Sequence, residues 1–390
     1  METCSRKIFL LLFVWFLKLS ILKTIAILGG GLAGLISGIL LARRGIACTL
    51  FERISYPFHR VCGEYISNEA VSFLKSHDLY PENFHPPKLK RFQLSSVSGK
   101  STMLELDLGG FGISRYVYDN FLYEAAAKAG VKFFLNTEVQ NVTFSDEKFE
   151  IKTQVSQEEA DLVIGAFGKR SKLDVSLNRR FIQRRSPYVG IKYHLRRDHP
   201  ADLIALHNFE GGYCGISNIE DGKTNLCYLV HRDVVKNVGD IGEMESNVLS
   251  KNPLLRDIFS NSEFLFARPE VINEISFETK SAVENHIMMA GDAAGMITPL
   301  CGNGMAMAIH SAKILAELAA DFCQGKITRG EMESRYTTKW NDLFSRRLWA
   351  GRQIQKLFGS PAASNLAINL AIHVRPVAYL IMRNTHGEVF

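Results

Sequence analysis

The stretch from Lys23 to Arg53, KTIAILGGGLAGLISGILLARRGIACTLFER, constrains the fold of this chain more than any other, because it reads as strand, glycine turn, helix and strand in succession. Thr24 to Leu28 is short, β-branched and uniformly apolar, which suits a parallel strand buried on both faces. Gly29, Gly31 and Gly34 follow with the spacing G-x-G-x-x-G. The first glycine permits the tight turn, the second lets a pyrophosphate approach the backbone, and the third lets the helix pack close to the strand. Leu32 and Ala33 open that helix, whose free N–H groups and positive potential suit an anion. The helix stays apolar through Leu41, turns basic at Arg43 and Arg44, and meets a left-handed stop at Gly45. A second strand, Ala47 to Phe51, leads to Glu52 and Arg53, and the acid stands where a ribose hydroxyl is commonly bonded. The unit is a Rossmann-type dinucleotide site. By itself it does not separate FAD from NAD.

The rest of the composition narrows the class. At 390 residues, 46% hydrophobic and 22% charged, the chain resembles an ordinary enzyme with room for two lobes, and disorder is not indicated. The net charge of +6 is modest and is partly gathered at Arg179, Arg180, Arg184, Arg185, Lys192, Arg196 and Arg197. That cluster reads as a charged sheet edge, the sharper alternative being a landing surface for an anionic substrate, carrier or membrane. No nucleic-acid motif accompanies it. Seven cysteines, at 4, 48, 62, 214, 227, 301 and 323, form no C-x-x-C pair and no metal-like spacing, which points to a reducing cytoplasm and to no metal site. Residues 1–22 are a hydrophobic extension whose apolar run, Ile8 to Leu17, is too short to span a bilayer. They are expected to be dispensable for the fold; the alternative is a peripheral membrane contact through residues 6–22.

The cofactor becomes specific at a second constellation, MMAGDAAGMITPLCGNGMAMAIHSA, from Met288 onward. It resembles the second FAD motif of the flavoprotein monooxygenase and geranylgeranyl reductase superfamily, whose members share the p-hydroxybenzoate hydroxylase fold. The resemblance implies that Gly291 and Asp292 meet the ribityl chain of FAD, and that Gly302, Asn303, Gly304 and Met305 open a helix facing the flavin's pyrimidine edge. It also places Arg115, Val139 and Gly168 at the cofactor. The loop YPFHRVCGEYIS resembles that of geranylgeranyl reductases, which puts Arg60, Cys62 and Gly63 near the isoalloxazine.

Two departures matter. Phe167 stands where the family has an aspartate tied to FAD and pyridine-nucleotide handling, so NAD(P)H is expected as a transient donor at most, with a donor protein as the alternative. In GGYCGISNIE only Tyr213 survives from the signature of lipid reductases, and the halogenase signature is absent.

The expected fold is α/β: a Rossmann-type FAD-binding lobe (23–84, 114–175 and 285–326) interleaved with a β-sheet substrate lobe (85–113 and 176–284), with helical C-terminal cover (327–390). The expected activity is that of an FAD-dependent oxidoreductase, with monooxygenation of an aromatic, polyketide-like or polyene small molecule favoured. Geranylgeranyl reductase-like reduction of carbon–carbon double bonds is the alternative, and a non-catalytic flavin or electron carrier the third reading. No general base stands out; Cys62, Tyr213 and Cys301 are candidates for the substrate wall.

Overall fold

The fold is given by a computed structural model, which describes residues 23–390 except 185, 357, 359, 375, 377–378, 380–382 and 384–385. The N-terminal extension and Arg185 of the basic cluster therefore lie outside the described residues.

Strand β1 (Ile25–Leu28) is buried at every position and passes through the glycine turn into helix α1 (Leu32–Ala42). Strand β2 (Cys48–Phe51) returns beside it in parallel. Helix α2 (Arg115–Lys128) buries Leu122 and Ala126 of its expected apolar face, and also Tyr118 and Asp119. Strand β3 (Leu162–Gly165) pairs with β1 on the side away from β2. All four of its residues are buried, as a parallel strand covered on both faces requires.

The second sheet includes β4 (Tyr188–Arg196), β5 (Gly212–Asn218) and β6 (Glu270–Ile275). The chain then re-enters the first sheet at β7 (Ile287–Met289) and ends that lobe with the long helix α3 (Gly304–Cys323). The first sheet has six strands, with β7, β3, β1 and β2 adjacent at its centre. The second has nine, including Lys88–Ser95 and Ser101–Gly112, which turn through Gly99 at φ 85°. Helices follow from Thr328, which caps Arg329–Trp340.

Three features differ from the sequence reading. Tyr65–Ser67, within the stretch assigned to the FAD lobe, pairs with Gly110–Gly112 and so belongs to the second sheet. The stretch from Phe181 to Ser276, read as strand-rich, also holds the helices Arg232–Val238, Ile241–Asn247 and Pro253–Ser260. Their apolar sides cover the second sheet's face at Ile191, Leu195 and Ile216. The basic cluster is not one surface: Arg179 and Lys192 are buried against acids, whereas Arg184, Arg196 and Arg197 pair with surface carboxylates. Among the described residues, no helix is long and apolar enough to cross a membrane.

Candidate functional site

The glycine turn is held by backbone contacts that exclude side chains. At Gly29, φ is +105° and an added Cβ would lie 2.5 Å from the carbonyl of Ala166. At Gly34 an added Cβ would fall 2.0 Å from the carbonyl of Gly29, so only glycine lets α1 seat against its own turn. Gly31 is the N-cap of α1 and supplies no capping side chain, and the first turn carries no acid. The N–H groups at that end are therefore available to an anion.

Glu52 is buried, and its Oε2 accepts from the Gly30 N–H at 2.9 Å and from Arg60 Nη2 at 3.0 Å. Its visible work is thus to brace the turn, beside the ribose contact expected of it. Tyr56 adds a second brace by donating its hydroxyl to the Gly30 carbonyl at 2.6 Å. Arg53 points into solvent, whereas Val139 is buried at the start of the strand Val139–Ser145.

Sequence reasoning missed the residue that organises the arginines. Asp119, four residues into the helix from Arg115, accepts from Arg115 Nε at 2.6 Å, Arg115 Nη2 at 2.8 Å and Arg60 Nε at 3.0 Å. Burial works to lower the pKa of Arg115, but the Asp119 carboxylate outweighs it and raises the pKa. The spacing from i to i+4 was a visible signal. Arg115 Nη2 lies 3.5 Å from where a Cβ on Gly31 would stand, so this guanidinium borders the phosphate turn.

A second missed group fixes the start of α2. The Ser114 N–H and hydroxyl donate to Glu220 at 2.7 and 2.6 Å, and the Arg115 N–H donates to Glu64 Oε1 at 2.8 Å. Glu64 is fully buried with φ 53°, and it receives Lys192 Nζ and, at 2.7 Å, His194 Nε2 from β4. Burial opposes its charge, yet Lys192 and His194 overcome that and hold the carboxyl at about 2. His59, stacked on Tyr116, is pushed down to about 4 by burial, with Lys192 and His194 acting in the same direction.

The other half of the site follows β3 and β7. After β3, Phe167 packs against the core and Gly168 turns with φ 81°. After β7, the Gly291 N–H donates to Ser311 Oγ of α3 at 3.0 Å, and an added Cβ on Gly291 would lie 3.2 Å from Ala33 and 3.4 Å from Ala308. Gly291 thereby brings α1 and α3 together. Asp292 is half-buried, and its carboxylate has no hydrogen-bond or ion-pair partner among the described residues. Burial raises its pKa against the pull of Lys280, Arg115 and Lys169. An uncommitted carboxylate in a positive field suits a polyol ligand.

Gly302 adopts a left-handed turn at φ 64°, and Gly304 then starts α3. Asn303 does not cap that helix; its side chain bonds Glu69 instead. Met305 is buried in the first turn. Like α1, helix α3 has no acid in its first turn.

The wall candidates divide. Tyr213 accepts from the Leu300 N–H at 3.2 Å and donates to Gln355 Oε1 at 3.4 Å, which seats it beside Cys301 on the Thr298–Cys301 turn. Cys301 bonds Thr298 Oγ1 at 3.3 Å, and burial pushes its thiol up to about 11. Cys62 stands apart from them, its sulfur accepting from the Glu64 N–H at 3.4 Å and its thiol also pushed up by burial.

The turns, the open helix ends and the uncommitted Asp292 fit an FAD molecule, and the sequence pattern of the FAD binding domain family matches residues 23–191. The chain thus carries an FAD binding domain and has the fold of flavin-dependent oxidoreductases. This flavoprotein is 25% identical over 352 residues to a digeranylgeranylglycerophospholipid reductase of Methanosarcina acetivorans, covering 82% of the chain and 80% of the relative. It is 24% identical to flavin-dependent halogenase armH5 of Armillaria mellea over 81% of the chain and 68% of the relative. Among solved structures, a geranylgeranyl bacteriochlorophyll reductase-like protein of Thermoplasma acidophilum superposes with a TM-score of 0.74 at 17% identity, covering 90% and 92% of the two chains. The flavin-dependent halogenase CmlS gives 0.74 at 20% identity, and the flavoprotein spans 63% of its length.

Proposed function

We propose that the flavoprotein is a monooxygenase acting on an apolar aromatic or polyene molecule, held between the second sheet and the turn that precedes α3. The observation that carries this is the buried layer of Leu94, Leu206, Tyr213, Leu229, Ile275 and Ile368, with Leu300 packed on it from that turn. Bound FAD supplies two-electron redox and oxygen chemistry. Gly29, Gly31, Gly34 and the ends of α1 and α3 would hold its phosphates and ring, Arg115 would neutralise charge, and Asp292 would accept from its ribityl hydroxyls. The chain's part at the substrate is to exclude water and orient.

Oxygen transfer and double-bond reduction by a two-electron-reduced flavin each take up one proton overall, and the buried Tyr213, Cys301 and Cys62, held above their ordinary ranges, serve either reaction as wall rather than as acid. The competing reading, double-bond reduction, draws on the names of the archaeal relatives and on Tyr213 in β5 at the lipid-reductase signature.

Turnover of aromatic and polyene candidates under isotopically labelled dioxygen decides between them. Label in the product is expected; a product that gains two hydrogens and no label overturns the monooxygenase reading. Because Phe167 replaces the usual acid, anaerobic reduction by NAD(P)H should be slow until substrate is present, and rapid reduction by NAD(P)H alone would remove the gate.

A further inference from the structure

The carbonyls behind Asp292 are gripped by two cations that the site has not yet explained. Lys280 Nζ donates to the Asp292 carbonyl at 2.7 Å and to the Lys169 carbonyl at 2.7 Å. One ammonium thus joins the turn after β7 to the loop after β3. Arg179 Nη1 donates to the next carbonyl, Ala293, at 2.9 Å, and Nη2 donates to the Ser281 carbonyl at 3.3 Å. The Phe181 ring lies by both cations, 4.4 Å from Lys280 Nζ and 5.3 Å from the Arg179 guanidinium carbon.

The clamp is itself braced. Arg179 Nη1 also bonds Asp174 Oδ1 at 2.9 Å, and Asp174 Oδ2 accepts from the Ser171 N–H at 2.7 Å, closing the short helix that ends the Phe167 loop. The same loop reaches the last strand of the second sheet, because Lys169 Nζ donates to the Asn273 carbonyl at 2.7 Å and Arg170 pairs with Glu274. Two neighbouring parallel strands therefore deliver their loops into one cationic frame, and Asp292 projects from it with its carboxylate unengaged.

We infer that Lys280 and Arg179 are positioning residues for the cofactor: they fix successive carbonyls of the 291–293 turn so that the Asp292 carboxylate is preset for a polyol. This rests on the FAD reading above. A partly buried ammonium held by two carbonyls and a ring face gains little for the fold, since each contact must first offset its desolvation. A preset acceptor gains ligand affinity by lowering the ordering cost of binding.

The test is FAD titration of the apoprotein of the full chain, followed by quenching of flavin fluorescence, beside thermal melts with and without FAD. Lys280→Met should weaken FAD about tenfold, leave the melting point of the apoprotein unchanged and shrink the rise that FAD induces. Lys280→Arg should recover most of the affinity. Lys280→Gln reaches one carbonyl and should fall between, which keeps the test open if the methionine variant is too unstable to purify. Wild-type affinity in Lys280→Met, or an affinity loss matched by an equal loss of apoprotein stability, overturns the inference while leaving FAD binding intact. A wild-type protein that takes up no FAD overturns the parent reading and this one with it.

Discussion

Helices α1 and α2 leave the same lobe, yet their N-termini are finished in opposite ways. The end of α1 is a glycine with no capping side chain and no acid in its first turn. The end of α2 is closed: Glu220 occupies the Ser114 N–H and Glu64 the Arg115 N–H. A helix end already neutralised by two carboxylates has little attraction left for a phosphate, so α2 presents the guanidinium of Arg115 where α1 presents its backbone. The two ends thus offer an anion different partners, open peptide dipoles at α1 and a braced arginine at α2, and the second depends on acids from elsewhere in the chain.

Filling the open end should have the largest effect. Gly31→Val has room for a Cβ, but its methyl groups enter the phosphate approach, and FAD uptake should be abolished, as read by flavin absorbance of the purified protein. Retention of full occupancy would remove the phosphate assignment.

Breaking the closed end acts on stability first. Lys192→Met leaves Glu64 buried without its ammonium, and the midpoint of urea unfolding should report a loss of about 3–5 kcal/mol. The pH dependence follows in sign. Glu64 sits at about 2 in the fold against an ordinary 4.5, so its contribution is present above about pH 4.5 and is lost as pH falls toward 2. The variant should show a shallower acid limb than the wild type. An unchanged midpoint and acid limb would show that the buried pair does not hold the end of α2.

The smallest effect sharpens the arginine half. Asp119→Asn keeps the shape and one acceptor but loses the charge shared by Arg60 and Arg115, and FAD affinity should fall about threefold to tenfold. If affinity holds, the arginines find their place without it.

The open end of α1 was legible in the sequence because glycine spacing writes backbone geometry directly: Gly29 and Gly302 take left-handed turns, and Gly34 packs within its helix against the Gly29 carbonyl. The closed end was not. Glu64, Lys192 and His194 are distant along the chain, and each type is ordinarily a surface residue, so only the folded register of β4 shows that they share one interior site. The helices between Arg232 and Ser260 had signals that were passed over: Asp240 caps the second, and Asn252 followed by Pro253 starts the third. Lys280 and Arg179 were invisible for another reason. They bond carbonyls, and a carbonyl leaves no trace in residue type.

The buried thiols have a consequence for the protein's durability. Burial pushes the thiols of Cys301, Cys48 and Cys227 well above their ordinary range, which leaves little thiolate at neutral pH. Peroxide attacks sulfur as thiolate, so hydrogen peroxide escaping from an uncoupled flavin site would find almost nothing reactive in these three positions. Oxidative ageing of the protein should therefore register first at exposed methionine such as Met103.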